Sequence, residues 1–305
     1  MKAITIQQLK KDFGKVTALK AVSLEVAQGE LYGLIGPDGA GKTTMIRILT
    51  SLLTATEGAV TVLGLDPQME YKALRQKIGY MPGQFSLYQD LSVEENLNLF
   101  ASIYETTIEA NYHLVKDIYQ QIEPFKHRRA GALSGGMKQK LALCCAMIHR
   151  PEILFLDEPT TGVDAVSRKE FWEMLKTLNA SGLTIFVSTP YMDEASLCHR
   201  VALIQAGEIL AVDTPQNINN AFGTRLYAIK GGNKHALLHS LKSFEYCQSA
   251  YSFGSSIHYT DTRPQLDVDE LRLSLQTHGH SDISLEEISP SIEDSFMKLM
   301  TSHDS

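Results

Sequence analysis

The chain has 305 residues, 44% of them hydrophobic, enough to bury the core of one large domain with a smaller one beside it. Its formal net charge of −7 leaves no excess of Lys and Arg to neutralise a phosphate backbone, which argues against a nucleic-acid binder. The four cysteines show neither metal-ligand spacing nor a disulfide framework, as expected in a reducing cytoplasm, and no stretch supplies the ~20 apolar residues that cross a bilayer.

The N-terminal MKAITIQQLKKDFGK alternates polar and apolar residues, unlike a signal peptide. Alternation over Ile4 to Leu9 and Ala18 to Val26 predicts paired strands, with a polar turn from Lys10 to Lys15 between them. Leu31 to Ile35 is a short, wholly apolar strand. It runs into Gly36-Pro37-Asp38-Gly39-Ala40-Gly41-Lys42-Thr43-Thr44, and Thr43 to Leu53 has the apolar spacing of a helix. Strand, glycine-rich loop and helix is the order of a phosphate-binding site. Glycines let the backbone wrap round phosphates with its amide hydrogens inward, and the helix adds its N-terminal dipole. Lys42 then supplies a charge to the β and γ phosphates, and the Thr43 hydroxyl is a Mg²⁺ ligand.

Helical spacing over Val93 to Ile148, with Leu97, Phe100, Ala101 and Tyr104 on one face, predicts a helical insertion at about 84–150. Near its end, Leu133-Ser134-Gly135-Gly136-Met137 opens the predicted helix Lys138 to Met147; such a turn serves either as an ordinary N-cap or as a second anion site. Apolar strands at Ile153 to Leu156 and Thr184 to Ser188 flank a helix at Val166 to Leu178, the alternation of a parallel sheet with crossover helices. The first of these strands ends in Asp157 and Glu158. In a parallel sheet the C-terminal strand ends gather at one edge, so Asp157 can hold Mg²⁺ through water while Glu158 activates an attacking water. After Gly223 the composition shifts: residues 225–305 hold six of the ten histidines and read as a small appended α/β unit, set against a nucleotide-binding domain at 1–224. His278-Gly279-His280 has no third ligand in sequence and reads as a solvated loop.

The phosphate loop, the Leu-Ser-Gly-Gly turn and the strand ending in Asp157-Glu158-Pro159-Thr160, in that order, resemble the nucleotide-binding subunits of ABC transporters over about residues 1 to 225. The resemblance implies an α/β fold: a P-loop NTPase core with an antiparallel β subdomain, a helical subdomain and a small C-terminal α/β domain. It implies ATP and Mg²⁺ as ligands, and ATP hydrolysis with Glu158 as the catalytic base. It further implies a cytoplasmic subunit held at the inner face of the membrane by a separate permease. Two such subunits pack head to tail, as a homodimer or a pseudo-symmetric pair, so that Ser134, Gly135 and Gly136 clamp the γ-phosphate bound by the opposite chain. Asp164, in Thr161-Gly162-Val163-Asp164, links the two sites, and Phe13 stands where the family stacks adenine.

Two positions depart from the family pattern. Where the family has a Gln that touches Mg²⁺, this chain has Gly83 and only then Gln84, which either reaches the site through an altered turn or leaves Mg²⁺ without that ligand. Where the family has a His on the γ-phosphate, this chain has Pro190, which has no side-chain hydrogen-bonding group. Hydrolysis is then slow, unless Thr189 or Tyr191 supplies a hydroxyl. The run from Ser289 to Leu299 resembles the closing segment of ABC-2 type exporter ATPases for drugs, antibiotics or polysaccharides. The alternatives are a low-turnover, nucleotide-gated regulatory protein, and a soluble ABC protein of translation or DNA repair; the latter usually carry paired domains or a coiled coil, which this sequence lacks.

Overall fold

The computed structural model describes residues 1–280 and 282–303; Ser281, Asp304 and Ser305 of the predicted C-terminal unit lie outside the described residues. The alternating N-terminal segment forms β1 (Lys2–Phe13) and β2 (Val16–Ala27), which pair antiparallel and continue through most of the predicted polar turn. Ile4, Ile6, Leu9, Leu19, Val22, Leu24 and Val26 are buried: period-two spacing puts them on one side of the ribbon, with the alternation reset by bulges at Gln8 and Ala21, whose backbones are left-handed at φ 50° and 55°. β3 (Leu31–Ile35) is buried at every residue, and α1 (Lys42–Leu49) follows its glycine-rich loop. α1 stops short of the predicted Leu53, since the chain turns at Ser51 with a left-handed backbone, φ 61°. β4 (Glu57–Val62) has no counterpart among the predicted elements; it pairs with the other edge of β1, giving an antiparallel sheet of order β2-β1-β4.

α2 (Tyr71–Lys77) and β5 (Ile78–Met81) lead to the helical insertion, which is three helices: α3 (Val93–Ile103), α4 (Ile108–Tyr119) and α5 (Gly135–Met147). Ser92 and Glu95 form a reciprocal capping box at α3, and the Thr107 hydroxyl caps α4, so each start is fixed locally. β6 (Ile153–Asp157), α6 (Ala165–Ala180), β7 (Thr184–Thr189), β8 (Arg200–Gln205) and β9 (Glu208–Asp213) complete this part of the chain. The main sheet has the order β5-β6-β7-β3-β8-β9, parallel from β5 to β8 and antiparallel at β9. Every residue of β3, β6 and β7 is buried, as layers on both faces of a parallel sheet require. Ile35 is in register with Thr189, and Asp157 with Ser188, so three loops leave the sheet side by side at its C-terminal edge.

The chain divides into two compact units, Met1–Pro215 and Gln216–Ser305; the break falls in α7 (Pro215–Asn220), upstream of the composition shift at Gly223. The second unit contains β10 (Leu226–Lys230), α8 (Lys234–Lys242), β11 (Cys247–Phe253), β12 (Ser256–Asp261), α9 (Val268–Thr277), β13 (Ser284–Ile288) and α10 (Ile292–His303). Its antiparallel sheet, β11-β12-β10-β13, buries Tyr227, Ile229, Ile257 and Tyr259 with Leu237 and Leu241 of α8 and Leu271 and Leu275 of α9.

Asp294 ties α10 to this sheet. Its carboxylate accepts hydrogen bonds from the Ser291 amide (2.8 Å) and hydroxyl (2.6 Å), the Tyr251 hydroxyl (2.6 Å) and His258 Nδ1 (2.5 Å). Burial pushes its pKa up, but the bonds from Ser291, Tyr251 and His258 outweigh that and hold it below the usual carboxylate value. Asp294→Ala should therefore cost the protein about 3 kcal/mol at neutral pH, because the buried His258 and the partly buried Tyr251 and Ser291 lose their acceptor. A carboxyl made more acidic by folding stabilises above its unfolded pKa, and that stability is lost as pH falls through the folded value. The gap between parent and variant in urea unfolding should accordingly shrink only below about pH 4.

Candidate functional site

Gly41 caps the N-terminus of α1 with a left-handed backbone, φ 104°, and a β-carbon there would stand 2.6 Å from the Ala18 carbonyl oxygen, so only glycine fits. No side chain caps α1. The first-turn amides of Lys42, Thr43 and Thr44 thus have no partner within the helix, and with the helix dipole they form a seat for an anion. Asp38 and Gly39 are exposed on the rim of the loop, whereas Lys42 is 3% exposed. Its ammonium arches back over the loop, donating to the Gly36 (2.7 Å) and Pro37 (2.9 Å) carbonyl oxygens and pairing with Glu158 Oε1 at 3.0 Å.

Asp157 is buried at the end of β6. Its Oδ1 accepts from the Ser188 hydroxyl (2.7 Å) and the Thr43 hydroxyl (3.2 Å). Burial raises its pKa more than these two bonds lower it. Two hard oxygen donors at a buried, anionic corner beside an anion seat suit Mg²⁺, which takes one or two protein oxygens and completes its shell with phosphate and water. Glu158 turns out of the strand with φ 50°; its amide bonds both the carbonyl oxygen (3.0 Å) and the hydroxyl (3.1 Å) of Ser188. Thr161 donates to its Oε2 at 3.4 Å.

Lys42, Thr43, Asp157 and Glu158 are thus brought into direct contact. Ser134, Gly135 and Gly136 instead pack with the segment that opens α6. Ser134 is exposed and caps α5 by accepting from the Met137 amide; Gly135 lies against Gly162, and Gly136 against Ser167. Asp164 caps α6 by accepting from the Val166 (3.1 Å) and Ser167 (3.0 Å) amides, and the bonds from Ser167 lower its pKa. Phe13, at the end of β1, is 49% exposed, with the Lys11 ammonium 5.0 Å from its ring centre.

The profile of the ABC transporter family matches residues 19–161. The chain is 37% identical over 304 residues to probable multidrug ABC transporter ATP-binding protein YbhF of Escherichia coli (strain K12), covering 97% of this chain and 52% of that protein. It is 34% identical over 301 residues to Nod factor export ATP-binding protein I of Rhizobium sp. (strain N33), covering 97% and 96%. The chain belongs to the ABC transporter ATP-binding family. It spans about half the length of YbhF and nearly all of the Nod factor protein. Among solved structures it resembles the ATP-binding cassette MJ0796, a dimer in a post-hydrolysis state bound to ADP and Pi, with a TM-score of 0.63, 27% identity, and coverage of 69% of this chain and 98% of that one.

In this ABC chain the two departures have structural counterparts. Gly83 passes so close to β6 that a β-carbon would stand 2.9 Å from the Asp157 carbonyl oxygen, so this turn excludes a Gln at 83; Gln84, the next residue, is exposed. Pro190 is half-buried. The Thr189 hydroxyl is fully buried, donates to Glu194 and accepts the Tyr191 amide, which leaves it no proton for a phosphate. The Tyr191 ring lies 4.8 Å from the Arg168 guanidinium.

Ser188, which touches both acids of the site, and Glu194 are absent from the predicted site. Ser188 was recognisable in principle as the polar residue closing an apolar strand, whereas nothing local to Glu194 distinguishes it from a surface acid of a short helix.

Proposed function

We propose that the chain binds MgATP at the α1 N-terminus, hydrolyses it with Glu158 as general base, and powers export through a separate membrane permease. The observation that carries this reading is the contact of Lys42, Thr43, Asp157 and Glu158 at one edge of the sheet. The triphosphate sits on the amides of the loop and the first turn of α1. Lys42 moves from the loop carbonyls and Glu158 to the β and γ phosphates, which frees the Glu158 carboxylate to accept a proton from water. Thr43 and Asp157 would hold Mg²⁺, which supplies charge neutralisation at the phosphates.

Two chains packed head to tail would complete the site: the exposed Ser134 and Gly135 of one reach the γ-phosphate held by the other, with Asp164 at the junction. The exposed ring of Phe13 is free to stack on adenine. Among the described residues no helix is long and apolar enough to cross a membrane, and the relatives named for multidrug transport and Nod factor export support a permease-coupled exporter. ATP turnover by the purified chain, alone and with a co-purified membrane protein, tests the reading. Absence of turnover in both, with ATP bound, overturns it in favour of the nucleotide-gated regulatory alternative, which Gly83 and Pro190 favour.

Pro190 bears directly on rate. Losing one donor to the transferring phosphate costs ~10² to 10³ in rate, so Pro190→His should raise turnover at least ~10-fold with little change in ATP affinity. With the Thr189 proton committed to Glu194, Tyr191 is the remaining hydroxyl on this segment. Fast parental turnover that collapses in Tyr191→Phe would show that the tyrosine has replaced the histidine.

A further inference from the structure

Glu194 is 2% exposed, and burying a carboxylate is costly unless its oxygens are satisfied. Here both are. Oε1 accepts from the Thr160 hydroxyl at 2.8 Å and Oε2 from the Thr189 hydroxyl at 2.5 Å, while the nearest cationic group, Arg168 Nε, stands 3.9 Å from Oε1. The two threonines are themselves buried and belong to different segments, Thr160 to the loop after β6 and Thr189 to the end of β7. Thr160 lies two residues after Glu158, and Thr189 immediately before Pro190. A second tie joins the same segments from the other side, since the Glu158 amide bonds the Ser188 carbonyl and hydroxyl oxygens. The backbone of Glu158 is therefore pinned at one end by Ser188 and at the other, through Thr160, by Glu194.

We infer that Glu194 is a positioning residue for hydrolysis: its carboxylate clamps the segment carrying the general base to the segment facing the γ-phosphate. This rests on the ATPase reading above. Pro190 has no side-chain hydrogen-bonding group, so the placement of both segments is shared by the Thr160–Glu194–Thr189 bridge and the Glu158–Ser188 tie. Both Glu194 oxygens are committed to threonine hydroxyls, so it acts by holding Glu158 where its carboxylate meets the attacking water. Misplacement by about 1 Å can cost ~10²-fold in rate while leaving the binding contacts intact.

The test is steady-state and single-turnover MgATP hydrolysis by the full chain, alongside ATP affinity. Glu194→Ala should lower kcat by about 10- to 100-fold with affinity within about twofold. Thr160→Val, which removes one hydroxyl without changing side-chain volume, should give part of that loss, and Thr160→Ser should recover it. This pair keeps the inference falsifiable if Glu194→Ala fails to fold. Because Glu194 acts through Glu158, adding Glu194→Ala to Glu158→Gln should lower the residual rate no further. An unchanged kcat in folded Glu194→Ala or Thr160→Val overturns the inference alone, as does an equal loss in the Glu158→Gln background or a fall in affinity that accounts for the whole effect. A parent chain that binds ATP but never hydrolyses it overturns the ATPase reading and the inference with it.

Discussion

Lys42→Ala should weaken ATP binding by about 10- to 100-fold while moving the unfolding midpoint little. The ammonium is not idle before nucleotide arrives: it bonds two loop carbonyls and pairs with Glu158. Its contribution to affinity is the difference between those contacts and the ones it makes to phosphate, which keeps the expected loss well below the gross strength of several charge-assisted hydrogen bonds. In the variant the partly exposed Pro37 carbonyl and Glu158 carboxylate turn to water and one buried acceptor, the Gly36 carbonyl, loses its donor, so the fold loses only about 1 kcal/mol. Equilibrium binding of a fluorescent ATP analogue with thermal unfolding in parallel checks both halves. Unchanged affinity would remove Lys42 from the site.

Glu158→Gln should lower turnover by ~10² to 10⁴ while retaining ATP, because the amide keeps the shape but cannot take a proton from water. The same change has a second expected effect. Glu158 competes with the phosphates for Lys42 in the free chain, so neutralising it should leave affinity for ADP, which has no γ-phosphate to reach a second chain, unchanged or up to a few fold tighter. With Mg²⁺ and ATP the variant should accumulate as a dimer on sizing. A variant that stays monomeric and hydrolyses ATP at the parental rate would overturn both the base assignment and the shared site.

The parts of this site that could be read in sequence are those in which chemistry is compressed into a few adjacent residues. Gly36 to Thr44 announces its function because a strand, a turn that only glycine can make and an uncapped helix must follow one another directly. Asp157 and Glu158 are legible for a similar reason, an apolar strand ending in two acids. The first sheet was half legible: β1 and β2 alternate cleanly, but β4 opens Glu57-Gly58-Ala59 with exposed residues, and its pairing with β1 is a matter of edge geometry that no local pattern encodes. Distance in sequence hid the rest. Ser188 meets Asp157 and Glu158, and Glu194 meets Thr160, only because the parallel register of β6 and β7 sets their ends side by side. Asp164 was legible as a residue but not in its local duty, since capping α6 depends on where that helix begins.

The division of the chain has an evolutionary meaning. The residues after Pro215 possess their own sheet and their own apolar core, and the junction cuts one short helix and no strand of any of the three sheets among the described residues. A recombination event at that point would leave every hydrogen-bonded ladder of the main sheet intact, together with Gly36 to Thr44, Asp157, Glu158 and Glu194. With its own ladders and core, the C-terminal unit can accept substitutions whose stability cost stays within it, so the two parts of the chain are free to change sequence at different rates.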